Sequence, residues 1–247
     1  MTPNPTLVLI VIAAVAFMVS LSKGGLGGML GNLATPILAL VMPANQVIGF
    51  LLPIMLFADV FALVMHWKKW DGRLVWLLLP GAILGVTIGT VFIAYAPVRV
   101  LKTGLAIVAI VFVLFKLLEK PILGTLKYKA RNWHGWLAGT LAGFSSSIAH
   151  NGGPPISIYL MLQGISPNVF VATLVLFFAI LNWVKVPYYF YIGLFDFQKL
   201  GQLAWVFLIV PIGAWIGHWM ASKISKKIFD AIIMALLVVA AVMLIIE

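Results

Sequence analysis

The chain has 247 residues, 64% of them hydrophobic and 9% charged, with a mean hydropathy of +1.16; soluble domains carry about 25% charged residues, so this is an integral membrane protein throughout. Its net charge of +10 sits mostly in short loops between apolar runs, where the positive-inside rule puts basic residues, and with no soluble surface to carry it nucleic-acid binding is excluded. Cysteine is absent, which excludes disulfides, thiolate metal sites and cysteine nucleophiles.

The chain opens Met1-Thr2-Pro3-Asn4-Pro5, without a basic residue. A secretory signal needs a positive n-region and a cleavage site, so the first apolar run reads as retained. Ten apolar helical elements are predicted, at roughly 6–22, 26–42, 46–66, 74–96, 99–118, 132–147, 152–164, 167–191, 199–221 and 228–246. A full span takes about 20 residues. Elements three, four, five, eight, nine and ten meet that length, whereas one, two, six and seven are short. Each short pair reads either as two short spans or as a re-entrant hairpin.

Loop charges orient the chain. Lys68, Lys69 and Arg73, then Lys116, Lys120, Lys127, Lys129 and Arg131, then Lys223, Lys226 and Lys227 fall on one side. Arg99, Lys102, Lys199 and Lys185 are left for the other. The richer side is cytoplasmic by the positive-inside rule. Both termini then lie outside; if each short pair were one broken span, both would lie inside. The membrane is expected to be the cell (inner) membrane.

The two halves echo each other. Offset by 119, Gly24 falls on Gly143, Asn32 on Asn151 and Pro36 on Pro155. Offset by 123, Asp59 falls on Asn182, and offset by 131, Pro80 falls on Pro211. The order of landmarks is parallel: short helix, polar break with Asn, Pro, then three long helices. The predicted fold is therefore an all-α polytopic membrane protein of two inverted repeats of five elements, with broken helices meeting near the midplane, the plan of many secondary transporters. The first repeat covers 1–118, a basic cytoplasmic linker 119–131, and the second repeat 132–247.

The breaks hold the chemistry. The first is Ser22-Lys23-Gly24-Gly25-Leu26-Gly27-Gly28 and the second runs from Phe144 to Pro155. In lipid, irregular backbone survives only where protein or a wet cavity covers it. A helix beginning after Gly152-Gly153 and another after Gly24-Gly25 would aim free N–H groups and positive dipole ends into the breaks, a setting suited to an anion. Asn32, Ser145, Ser146, Ser147 and Asn151 offer neutral hydrogen bonds. The competing reading is that the glycines only permit close helix packing. Lys23 could fix an anion or snorkel to headgroups. His150 could bind an anion or relay a proton.

Asp59 is an acid well inside a long apolar helix, and an intramembrane carboxylate is a functional candidate by default. It could carry a coupling proton or pair with Lys23 or His150, with Asn182 as its neutral mate. His66, Trp67, Trp70, Tyr188, Tyr189, Tyr191, His134 and His218 read as interfacial residues.

The segments Lys23-Gly24-Gly25-Leu26-Gly27-Gly28, Pro36 and Asp59, together with Gly143-Phe144 and His150-Asn151-Gly152-Gly153-Pro154-Pro155, resemble the paired signatures of the TauE/SafE family. The resemblance covers essentially the whole chain and both repeats. It implies a permease for small sulfur-containing anions or carboxylates, of the sulfite or organosulfonate exporter type, with no cofactor and no metal. A small anionic substrate and the lipid bilayer are the expected partners, and a homo-oligomer remains compatible.

Three rival classes compete with this reading. Ser147 and His150 lie three residues apart and could form a nucleophile–base pair in an intramembrane hydrolase. A passive channel needs rings of groups or a continuous polar lining, whereas these long helices are apolar with their polar groups at one level. A non-transporting scaffold subunit is the remaining alternative.

Overall fold

The computed structural model describes residues 5–25, 31–97, 99–101, 103, 104, 107, 108, 110, 111, 114 and 131–221, with 31–33, 44, 199 and 221 described by backbone alone. Among these the regular structure is entirely helical. In chain order it comprises α1 (Pro5–Gly25), α2 (Gly31–Ala39), α3 (Ala44–Met65), α4 (Gly72–Tyr95), α5 (Asn132–Ala149), α6 (Gly153–Met161), α7 (Pro167–Tyr191), α8 (Phe197–Gln202), a 3-10 turn (Ala204–Leu208) and α9 (Ile209–Ala221). Residues from 99 to 114 are helical where described. The element expected at 228–246, the bases at 116–129 and 223–227, and Gly27 and Gly28 lie outside the described residues.

Helices α1, α4 and α7 and the Asn45–Met65 stretch of α3 are long and apolar enough to cross a membrane. Three sequence expectations need correction. First, α1 runs on through Lys23-Gly24-Gly25, so it is a full-length span and the first break begins later than Ser22. Second, α2 and α6 are only nine residues each, which is too short to cross a bilayer. Third, the expected single helix at 199–221 is three pieces. Pro211 favours the last join: it lacks an N–H to bond back to residue 207, which lies in the 3-10 turn.

Helix ends follow local chemistry. Asp71 caps α4, its carboxylate accepting from the Arg73 and Leu74 N–H groups at 3.0 and 3.3 Å, which satisfies donors that would otherwise lack partners. Pro167 starts α7 in the first turn, where its missing N–H costs nothing. His150 ends α5 in the left-handed region, at φ 52°.

Packing exchanges partners between the chain's halves. Helix α4 lies along α5. A methyl group at Gly81 or Gly85 would overlap the carbonyl of Trp136 or Thr140, and one at Gly139 or Gly143 would overlap that of Leu78 or Ala82. Helix α1 lies along α9 in the same manner: Gly24 abuts the Ala214 carbonyl and Gly217 the Leu21 carbonyl. Small residues let backbones meet, which is the usual source of helix association in lipid. Two apolar cores result. One joins α1, α2 and α3 with Val206 and Val210, and the other joins α4 through α7. Ile48, Leu52, Ile93, Ile148 and Tyr189 pack in a third cluster, beside the polar residues described next.

Candidate functional site

Four helices converge on a buried polar cluster. Lys23 comes from the last turn of α1 and forms an ion pair with Asp59 of α3. The other Asp59 oxygen, Oδ2, accepts from Asn182 Nδ2 of α7 at 2.6 Å. One turn further along α7, Lys185 Nζ reaches Ser146 Oγ at 3.2 Å, the Ser146 carbonyl at 3.4 Å and His150 Nδ1 at 3.0 Å. His150 Nε2 lies 2.9 Å from the Ile48 carbonyl. Lys23, Asp59 and Lys185 lie within electrostatic reach of one another. Lys185 is 0% exposed, Asp59 2% and Lys23 7%.

The partners assign the histidine tautomer. The Ile48 carbonyl can only accept, so Nε2 carries the proton. Nδ1 then holds a lone pair facing the Lys185 ammonium, which donates to it. With Lys185 as the donor the ring is neutral, and it is held from both sides. Its backbone is held in a conformation rarely adopted outside glycine, a strain of order 1–3 kcal/mol that persists only where surrounding contacts enforce it.

Other contacts join the two breaks. Thr35 of α2 donates to the Ala149 carbonyl at 2.7 Å, and Tyr189 donates to the Ser147 carbonyl at 2.7 Å. Both acceptors lie in the last turn of α5, where the helix runs out of its own donors. Asn151 Oδ1 is buried without a hydrogen-bond partner among the described residues. A carboxamide turned by half a rotation presents its NH2 instead.

Not every residue singled out in the sequence joins the cluster. Ser145 and Ser147 donate to carbonyls of their own helix, Leu141 at 2.8 Å and Gly143 at 2.9 Å; only Ser146 meets a side chain from another helix. Gly24 abuts the Ala214 backbone, the close-packing alternative for that glycine. Gly25 ends α1, and Asn32 lies in α2 with its side chain outside the described residues. Gly152 precedes α6 and Gly153 begins it, followed by Pro154 and Pro155. Those prolines lack N–H groups, so the first turn of α6 offers fewer donors than a helix start normally does. The Ser147–His150 pair does not form: the Ser147 hydroxyl serves Gly143, and both His150 ring nitrogens are taken.

Two residues lie deeper than the sequence predicts. Lys185, counted among the loop cations, is wholly buried within α7. Tyr189, expected at the interface, is also wholly buried. A usable signal existed for the lysine, which stands one helical turn from Asn182 inside a 25-residue apolar helix, where any charge is a functional candidate. Among the described residues no group of acidic, histidine or cysteine side chains is arranged to hold a metal ion.

A family model described as sulfite exporter TauE/SafE matches residues 12–244. No curated protein and no solved structure matches the chain.

Proposed function

Since the chain belongs to the sulfite exporter TauE/SafE family, and is thus a multi-pass membrane transporter rather than an enzyme, we propose that it moves a small sulfur-containing or carboxylate anion through the Lys23–Asp59–Asn182 and Lys185–His150–Ser146 cluster. One observation carries this reading. The buried charged side chains among the described residues are two lysines and one aspartate, and the aspartate is paired with Lys23. Among the described residues Lys185 hydrogen-bonds only to neutral groups, and the nearby Asp59 is already paired with Lys23. An enclosed charge without a counter-ion is costly, and a small anion is the ligand that relieves it. Asn151, Gly152 and Gly153 line the same break and complete the candidate binding groups with Ser146 and His150. Asp59 and His150 are the candidates for carrying a coupling proton, with Asn182 as the neutral relay partner that holds the Asp59 carboxylate.

Alternating access about this cluster suits its enclosure. The exchange of packing partners, α1 with α9 and α5 with α4, favours two inverted repeats over residues 1–118 and 132–247. An open groove of about 430 Å³ between α4 and α7, lined by Thr87, Thr90, Tyr188 and the largely exposed Tyr95 and Tyr191, is a candidate approach. The loop charges favour a cytoplasmic side bearing Lys68, Lys69 and Arg73 in the cell membrane.

The test is thermal unfolding of the purified protein with sulfite, sulfonates, sulfate, carboxylates and uncharged controls, followed by flux in liposomes. A ligand binding only the folded state adds about 2.7 kcal/mol at a hundredfold excess over its dissociation constant. Stabilisation by a small anion, lost in His150→Ala and Asn151→Ala and kept in His218→Ala, is expected. Neither stabilisation nor flux with any of these anions would end the reading.

A further inference from the structure

We infer that Asp59 sets the valence of the anion the site accepts, and that the site of the unmodified protein is matched to a monovalent one. The inference rests on the anion-transport reading above and goes beyond it by naming the charge class of the cargo.

The charges that the cluster encloses can be counted among the described residues. From α1 comes Lys23, from α3 Asp59, from α5 Ser146 and His150, and from α7 Asn182 and Lys185. His150 contributes no charge: a proton on Nδ1 would set an N–H against the Lys185 ammonium 3.0 Å away. With both lysines protonated, two ammonium groups and one carboxylate leave one net positive charge among the described residues. These groups are almost wholly removed from solvent, so bulk ions screen them poorly. A monoanion brings the enclosed sum to zero. A dianion leaves one negative charge and has to bring a proton or a cation with it.

Asparagine at position 59 would preserve shape and hydrogen bonding while raising the enclosed charge to two, which suits a dianion. Methionine at position 23 would lower it to zero. Making both changes restores one positive charge with neither original partner present.

Methanesulfonate and sulfate test this directly. Both are tetrahedral at sulfur, and they differ by a methyl group for an oxygen and by one unit of charge. Dissociation constants are measured calorimetrically at neutral pH on the full-length purified protein. The wild type should prefer methanesulfonate. Asp59→Asn should shift the ratio of the two constants toward sulfate by about tenfold or more, given the strength of a unit charge at short range, and Lys23→Met/Asp59→Asn should shift it back. Lys23→Met alone should weaken methanesulfonate by a comparable factor, so the inference remains open to refutation even if Asp59→Asn fails to fold. A ratio that ignores these charge changes overturns the inference while leaving anion transport intact. Failure of the wild type to bind either anion overturns the inference together with the reading beneath it.

Discussion

Asp59 and Asn182, which correspond when the two halves of the chain are offset by 123 residues, are hydrogen-bonded to each other at 2.6 Å. The carboxylate thus has two partners from different helices, Lys23 on one oxygen and Asn182 on the other. Each removes part of the penalty for holding an acid among apolar helices.

Asn182→Ala is expected to leave one oxygen of a buried carboxylate unpaired. The stability loss should be about 1–3 kcal/mol, the usual cost of stranding such a group, read by thermal or denaturant unfolding followed by tryptophan fluorescence. A variant as stable as the parent would mean that Asp59 does not depend on this contact.

Lys185→Met separates stability from binding. The lysine has no hydrogen-bonded carboxylate partner among the described residues, so relief of its enclosed charge should offset the loss of its contacts to Ser146 and His150 and leave the ligand-free protein about as stable. Stabilisation by anions should vanish in the same variant. Unfolding scans with and without added anion read both, and retained anion stabilisation would remove Lys185 from the site.

Gly85→Ala should destabilise the α4–α5 contact, because its new Cβ would overlap the Thr140 carbonyl. Forcing extra atoms into a packed contact costs about 1–3 kcal/mol. Gly72→Ala, where nothing lies within 4 Å, should be neutral or mildly stabilising through helix propensity. Equal melting temperatures for the two variants would show that the close approach of α4 and α5 contributes little.

His66 lies just past the end of α3 and predicts an acid response. Burial pushes its imidazole below the usual value of 6.5; the Ala62 carbonyl opposes this, and the nearby His218 and Lys69 add to the lowering. The folded protein therefore favours the neutral ring. The stability this contributes is present above the ordinary histidine range and is lost as pH falls through the lowered folded value. Unfolding measured across mildly acidic pH should show a steeper loss for the parent than for His66→Gln, and parallel curves would contradict the assignment.

Much of this arrangement was legible in the residues because membranes make polarity conspicuous. Asp59, Asn182 and His150 stood out as polar groups in apolar surroundings, and all three sit in the buried cluster. Lys185 did not, because its charge was grouped with the loop cations near the end of a long helix, and only the fold shows that the segment through Tyr191 is continuous and inward-facing there. The extension of α1 through Gly24-Gly25 was hidden for a related reason. Each glycine weakens a helix by about 1 kcal/mol, but Gly24 gains a backbone contact with Ala214 that no local pattern records. The serines looked equivalent, and only helix rotation separates Ser146, which faces α7, from Ser145 and Ser147, which bond back to their own turns.

The contact between Leu21 and Gly217 has a consequence for biogenesis. Helix α1 leaves the ribosome well before α9, the helix that fits its groove. Until α9 enters the bilayer, the small-residue face of α1 can meet only lipid or another protein. The α4–α5 contact closes much earlier, between segments close together in the sequence. Maturation should therefore proceed from the middle of the chain outward, with the first helix docking late. Nascent chains stopped short of residue 209 would expose that face to whatever surveys unassembled membrane helices.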